Sequence, residues 1–333
     1  MDRLNWLTEN LYYLAIPYFL IAMAYEIRVL RTATHLKGYE WRDSATSISL
    51  GVFNLAMRAA FAVVTITVSF MVYEHRLFDL SPLLWWTWPL LWVAEDFTFY
   101  WYHRASHRIR FMWADHVNHH SSQHYNLSTA LRQPVIEMAW VWVLWLPLVL
   151  IGFHPVAVAL AAGVNLLYQF WIHTESVRHI GFFERFMNTP SHHRVHHGSN
   201  PEYIDKNYGG WLIVWDKWFG TFTPETVPVR YGLVHNISSY NPFKVITHEW
   251  AFMLRQSWRA KNLRHKLGWV FGPPEWVSRD QGDGLEWPST PANGAPREIE
   301  DFVGTPNAAS GMTRPGLEKT PEVTPGMANA KPR

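Results

Sequence analysis

The chain has 333 residues, of which 48% are hydrophobic, 16% aromatic and only 17% charged. Soluble domains carry about 25% charged residues, so this composition favours a membrane protein. The net charge of +2 gives no sign of a nucleic-acid-binding surface, and the lack of cysteine excludes disulfides, iron–sulfur clusters and thiolate zinc sites. Any metal must therefore be bound by His, Asp, Glu or backbone groups.

Five apolar stretches approach the length of about 20 residues that a helix needs to cross a bilayer. They cover residues 11–25, 48–73, 83–102, 135–153 and 156–172. Buried helices of a large soluble protein are the alternative, but the fourth stretch is too long and too rich in Trp for that role. The sequence therefore predicts an all-α, multi-pass membrane helical bundle with about five apolar helices.

Basic residues in the loops predict the orientation of the bundle, because cytoplasmic loops carry an excess of Lys and Arg. The segments that follow the first and third stretches are basic, whereas the 74–82 loop contains one Arg and the 152–155 turn none. The chain after about residue 173 is thus predicted to be cytoplasmic. No retention signal or fused cytochrome domain is recognisable, which favours a bacterial inner membrane.

Composition also divides the chain. From about residue 279 the sequence is rich in Pro, Gly, Thr and Ala and poor in apolar residues, so it is predicted to be disordered. We predict a first membrane helix and basic loop at 1–44, a membrane-embedded catalytic domain at 45–275 and a disordered tail at 276–333.

Thirteen of the 18 histidines lie between positions 103 and 197, where they form the patterns HxxxH, HxxHH and HHxxHH. Helical residues at i, i+3 and i+4 share a face, so each pattern can direct several imidazoles at one point. One zinc site uses three or four ligands, and eight or more histidines therefore predict two metal ions. The predicted ligands are His103, His107, His116, His119, His120, His192, His193, His196 and His197.

The type of metal follows from the donors. Imidazole suits Zn, Cu, Fe and Ni. The histidine patterns lack the Glu base of a zinc hydrolase motif such as HExxH, which favours iron used for oxygen chemistry. A cytoplasmic helical cap would then hold a histidine-rich di-metal site where the chain leaves the membrane.

Polar residues within the fifth apolar stretch supply further candidates. Asn165, Gln169 and His173 recur at intervals of four residues, and such a stripe faces the interior of a bundle. We predict His173 as an additional metal ligand and Gln169 as a residue that positions ligands. Hydrogen bonding between helices is the alternative role.

Two further candidates for the catalytic site are Asp96 and Asn207. Asp96 precedes His103 by two helical turns, which predicts that its carboxylate orients a ligating imidazole. An ion pair with Arg58 is the alternative role for Asp96. For the neighbouring Glu95, orientation of a ligand and an ion pair with Arg58 are equally favoured. Asn207 could contact the site, with packing as its alternative role.

These patterns on a multi-pass chain resemble the fatty acid hydroxylase / sterol desaturase superfamily. The segments NHHSSQHYNLSTALRQ, YQFWIHTE, NTPSHHRVHHGSNPEYIDKNYGG and LIVWDKWFGTF resemble its alkylglycerol monooxygenase branch, over roughly residues 45–275. The ten histidines named above fall on the family's ligand positions. Some members continue with a further HxxxH from the position of His173, but Val177 stands here, which puts the role of His192 in doubt.

The resemblance implies a non-haem di-iron oxygenase that hydroxylates a lipid C–H bond and, in the alkylglycerol branch, cleaves an ether. A reduced pterin or an electron donor protein would supply electrons. Desaturation of a sterol or fatty chain uses the same ligands and stays open. A membrane metal transporter is the alternative of another class, although its histidines would lie near mid-bilayer rather than at helix exits.

Overall fold

The fold is known from a computed structural model, which describes residues 2–32, 36, 38–278 and 290–291. Most of these residues are helical, as the sequence predicts. The α-helices are α1 (Asp2–Leu30), α2 (Trp41–Glu74), α3 (Thr87–Arg108), α4 (Arg110–His120), α5 (Leu146–Ile151), α6 (Pro155–Ile172), α7 (Pro190–His196), α8 (Val214–Trp218), α9 (Pro242–Arg259) and α10 (Leu263–Phe271).

Short elements complete the described part of the chain. Four segments are 3₁₀-helices, and two short strands pair antiparallel. The 3₁₀-helices are Leu127–Leu131, Ile136–Ala139, Val141–Trp145 and Gly181–Arg185, and the strands are β1 (His235–Asn236) and β2 (Thr290–Pro291). The tail predicted from residue 276 lies almost wholly outside the described residues.

By length and composition, α2 and α6 are able to cross a membrane. None of the most apolar part of α2 is buried within the protein, so that surface is free to face lipid. A third candidate consists of two segments, Leu127–Ala139 and Val141–Ile151, which meet at an angle of 88°. The described residues thus contain two or three candidate spans, and the total of five stays a prediction.

The fourth predicted helix, at 135–153, is wrong as a single element. The chain forms two 3₁₀-helices there and then the short helix α5. Pro147 stands in the first turn of α5, where its missing N–H costs nothing. Inside a longer helix it would remove a hydrogen bond and clash with the preceding turn. Trp140 also leaves the helical region, with φ −139° and ψ −20°.

The packing of α3 against α4 sets up the site. α3 ends and α4 begins on either side of Ile109, whose extended backbone (φ −123°, ψ 117°) reverses the chain between them. An apolar core of α3, α5 and α6 includes Leu91, Val149 and Val158. α9 packs on α4 from the other side. The histidines of α3 and α4 are thereby enclosed between these layers.

Candidate metal centre

Nine of the predicted histidines converge in one buried region, and each is at least nine-tenths buried. They come from four helices that are distant in the sequence. α3 contributes His103 and His107, α4 contributes His116, His119 and His120, the end of α6 contributes His173, and α7 with its C-cap contributes His193, His196 and His197.

The nine imidazoles form two groups, in each of which the ligand nitrogens lie within 4.8 Å of one another. The first, the five-histidine group, consists of His103, His107, His116, His120 and His196; the second, the four-histidine group, consists of His119, His173, His193 and His197. Each HxxHH pattern is therefore divided between the groups. α4 gives its i and i+4 histidines to the first group and its i+3 histidine to the second, and α7 does the reverse.

Backbone carbonyls fix the tautomers in the four-histidine group. His119 donates its Nδ1 proton to the Arg132 carbonyl at 3.1 Å, and His173 donates its own to the Gln169 carbonyl at 2.6 Å. In neutral rings, both Nε2 atoms then carry a lone pair. These Nε2 atoms lie 3.2 Å apart with no proton to place between them, and His193 Nε2 lies 2.9 Å from that of His173. A bound cation would turn this repulsion into coordination.

The five-histidine group is arranged in the same way. His103 donates Nδ1–H to the Tyr208 carbonyl at 2.8 Å, and His196 donates to the Lys206 carbonyl at 3.0 Å. The Nε2 atoms of His103 and His116 lie 3.1 Å apart, and His196 Nε2 has no hydrogen-bond partner in the described structure. Buried polar atoms are normally paired, so these nitrogens fit a metal ion as their missing partner.

Burial keeps the imidazoles in the form that binds metal. Desolvation lowers the pKa of His119 to about 4, so the ring is neutral at pH 7. It also lowers the pKa values of His116 and His120 well below the ordinary range, and neighbouring histidines lower them further. Nitrogen lone pairs are therefore available without the release of a proton.

A cavity of about 310 Å³ reaches both histidine groups. His103 and His116 of the first group line it, together with His119 and His173 of the second. The remaining wall is mostly apolar and aromatic and includes Phe99, Met138, Trp142, Leu146, Val158, Leu166 and Phe170. The shape and lining suit an alkyl chain whose reacting carbon lies beside the histidines.

Residues 88–221 match the family model described as fatty acid hydroxylase. This segment is a fatty acid hydroxylase domain. All nine converging histidines lie within it. The resemblance inferred from the histidine patterns is confirmed.

Curated proteins that are similar to most or part of this chain extend the comparison. It is 40% identical over 294 residues to the alkylglycerol monooxygenases of Xenopus tropicalis and Homo sapiens, which covers 87% of this chain and 63% of each relative. Ornithine lipid hydroxylase OlsE of Rhizobium tropici is 30% identical over 132 residues, or 39% of this chain and 40% of that protein. The chain thus spans about three-fifths of the length of its animal relatives. No solved structure matched.

Within the fatty acid hydroxylase domain, Asp96 acts on the backbone rather than on an imidazole. Its carboxylate accepts hydrogen bonds from Trp211 N at 2.9 Å, Leu212 N at 3.2 Å and Trp215 Nε1 at 2.8 Å. The same turn carries Tyr208, whose carbonyl orients His103. Asp96 therefore positions a predicted ligand through the 208–215 turn, one step further away than the sequence suggests.

The carboxylate of Glu95 contacts neighbouring helices instead of Arg58. It accepts from Trp145 Nε1 at 3.2 Å and from Asn165 Nδ2 at 2.8 Å, while Arg58 donates to Asn54. Gln169 positions a predicted ligand through its backbone, and its side chain bonds within α6 rather than between helices. Its carbonyl orients His173, and its side chain donates to Asn165 Oδ1 at 2.9 Å.

His192 and Asn207 lie beside the histidine groups but outside them. His192 donates Nδ1–H to the Met187 carbonyl at 3.2 Å, and its ring packs on Phe222. The side-chain amide of Asn207 bonds to the His192 carbonyl at 3.0 Å and to the backbone of Thr223. This arrangement holds Asn207 at φ 56°. The geometry thus gives these two residues a packing role.

Sequence reasoning missed the carbonyl partners of the imidazoles and the carboxylate of Glu137. The carbonyls of Lys206 and Arg132 orient ligands, and no sequence signal marks them because every residue has a carbonyl. Glu137 did have a signal, since it is an ionisable residue inside an apolar stretch.

Proposed function

We propose that this chain is a membrane-embedded lipid monooxygenase that holds two iron ions in its two histidine groups. The observation that carries the proposal is the convergence of nine buried imidazoles at the wall of an apolar cavity. The fatty acid hydroxylase domain and the alkylglycerol monooxygenase relatives support the same reaction class.

The donor sets support two ions. The groups offer five and four nitrogens, and the separation of His116 from His119 between them argues against one shared ion. Sites made of imidazole suit iron, and redox chemistry on an unactivated C–H bond requires a redox-active metal, which zinc is not.

The chain's own residues provide position and surroundings. Iron bound in these groups would activate O2 so that one oxygen atom enters a C–H bond. The carbonyls of Tyr208, Lys206, Arg132 and Gln169 fix the imidazole tautomers. The apolar cavity holds the alkyl chain and excludes water from the reacting carbon.

As the specific substrate we propose an alkylglycerol, on the names of the relatives. Hydroxylation of the alkyl carbon beside the ether oxygen consumes O2, two electrons and two protons and releases one molecule of water. The resulting hemiacetal breaks down to a fatty aldehyde and glycerol. A reduced pterin, or an electron donor protein, would supply the electrons. Hydroxylation of a different lipid is the second candidate, and the bacterial ornithine lipid hydroxylase favours it.

We further propose that the five apolar stretches, the fourth of them bent, enter or cross the membrane and that the histidine groups lie on its cytoplasmic side. The basic loops after the first and third apolar stretches support this orientation. Relatives from vertebrates and from a bacterium make the placement compatible with an endomembrane or a bacterial inner membrane.

The test uses the purified full chain in detergent. We expect two iron ions per chain by elemental analysis. With a reduced pterin and O2, the protein should convert 1-O-hexadecylglycerol to hexadecanal, measured by mass spectrometry. An alkene product without aldehyde would indicate a desaturase. Bound zinc alone, with no O2 consumption on any lipid tested, would contradict the oxygenase function.

A further inference from the structure

Glu137 is a buried acid in the wall of the mostly apolar cavity. Its side chain is only 1% exposed. Tyr102 donates its hydroxyl proton to Oε1, whereas Oε2 has no hydrogen-bond partner within the described structure. A buried carboxylate oxygen without a partner is costly, and native proteins normally satisfy such an atom with protein, water or ligand.

The protein holds this carboxyl group firmly in place. The Glu137 backbone N–H donates to Asp115 Oδ2 at 2.8 Å, which fixes the 3₁₀-helix that carries Glu137. The Tyr102 hydroxyl fixes the carboxyl group from α3. The other buried carboxylate of the cavity, Glu95, differs because both of its oxygens accept hydrogen bonds from the protein. Glu137 alone of the two therefore keeps an oxygen available for a ligand.

The Glu137 carboxyl group lies in the cavity that the histidine groups line. Tyr102 and Glu137 line the same cavity as His103 and His116. Tyr102 directly precedes His103 in α3. Asp115, which accepts the Glu137 N–H, directly precedes His116 in α4. A polar group bound to Glu137 would thus lie close to the histidines, while apolar lining residues such as Leu146 and Val158 remain for the alkyl chain.

We propose that Glu137 binds a free hydroxyl group of the lipid substrate and thereby places the nearby ether-linked carbon of the alkyl chain at the metal centre. The inference rests on the proposed function and deepens it. The substrate class is a lipid with an unmodified hydroxyl close to the oxidised carbon, in contrast to a lipid that is oxidised near the end of a plain chain. Tyr102 supports Glu137 and is a positioning residue.

Equilibrium binding to the purified full chain in detergent tests the inference without turnover. The probes are radiolabelled 1-O-hexadecylglycerol and its 2,3-di-O-methyl ether, which cannot donate a hydrogen bond. Leaving a buried oxygen without its hydrogen-bond partner changes affinity by about tenfold. We expect the unmodified protein to prefer the diol by about tenfold and Glu137→Met to abolish that preference, with the affinity for the dimethyl ether unchanged.

Two further variants separate recognition from folding. Glu137→Gln keeps the volume of the side chain and should reduce the preference in part. Glu249→Gln is the matched control, because Glu249 is also buried but does not line the cavity. It should keep the full preference, and the metal content of every variant should equal that of the unmodified protein.

Equal affinity of the unmodified protein for the two probes would overturn the inference, even if every variant failed to fold. So would a tenfold preference that survives in Glu137→Met. Either result leaves the proposed function standing if the protein still oxidises lipid. Conversely, binding selectivity without turnover of any lipid would count against the proposed function and not against this site.

Discussion

At the scale of single residues, the carbonyl partners distinguish a metal-binding imidazole from a structural one. His119 has its Nδ1 proton on a carbonyl and its Nε2 among other imidazole nitrogens. His192 also has a carbonyl partner, but its ring packs on Phe222, outside both groups. Two neighbouring patterns in the sequence thus give histidines with different environments.

We therefore expect His119→Ala to lose metal and His192→Ala to keep it. Removal of one of four nitrogens should lower the iron affinity of the four-histidine group, while the five-histidine group stays complete. The iron content should therefore fall from about two ions per chain to about one. Elemental analysis of the purified variants measures this. If His192→Ala loses an ion as well, or His119→Ala keeps two, the assignment of ligands is wrong.

The spacing of histidines in the sequence predicts which residues converge but not how they are divided between the two groups. The motif rule places residues i, i+3 and i+4 on one face, which suggests one metal for each HxxHH pattern. Successive helical residues are rotated by about 100°, so the i+3 and i+4 side chains diverge to either side of i. His116 and His120 accordingly turn to one group and His119 to the other. Only the positions of α3, α6 and α7 decide this division.

At the scale of elements, the contact between α3 and the 208–215 turn is central. Asp96 accepts three hydrogen bonds from this turn. The turn packs closely on Asp96, because a Cβ added to Gly210 would lie 2.7 Å from Asp96 Oδ1 and from Asn165 Oδ1. The same turn also places the Tyr208 carbonyl against Nδ1 of His103.

We expect Asp96→Asn to destabilise the protein by about 1–3 kcal/mol, because an amide NH2 would face backbone N–H donors that now have an acceptor. The orientation of His103 should loosen, so metal affinity of the five-histidine group should fall more than that of the other group. Thermal unfolding and metal titration in detergent measure the two effects. Asp79→Asn, at an exposed side chain, is the control and should change neither. Unchanged stability in Asp96→Asn would show that the turn does not depend on this carboxylate.

The sequence predicts the long elements better than the broken one. α2 and α6 are continuous apolar runs, and their predicted bounds agree with the structure to within a few residues at most ends. The stretch 135–153 has a similar composition but contains Pro147 and the buried Glu137. Hydropathy averages over a window and is insensitive to both, so it cannot show that the chain bends by 88° there. The bend brings Glu137 into the cavity wall.

At the scale of the whole molecule, the two histidine groups connect α7 to helices from two earlier regions of the sequence. The five-histidine group joins α3, α4 and α7, and the four-histidine group joins α4, α6 and α7. α7 has only seven residues, too few for a helix that is stable by itself. Its position must come from tertiary contacts, among which its histidines are prominent.

Metal removal should therefore loosen the whole assembly and not only the site. Ligands that bind the folded state stabilise it by about 4 kcal/mol at a concentration 1,000 times the dissociation constant. We expect a chelator to lower the melting temperature in detergent by several degrees and to increase hydrogen exchange in α7 and in the 198–215 segment before α2 responds. Re-addition of Fe(II) should restore both. If the metal-free protein melts at the same temperature with α7 equally protected, the four helices are held together by packing alone, and the histidines have no structural role beyond ligand binding.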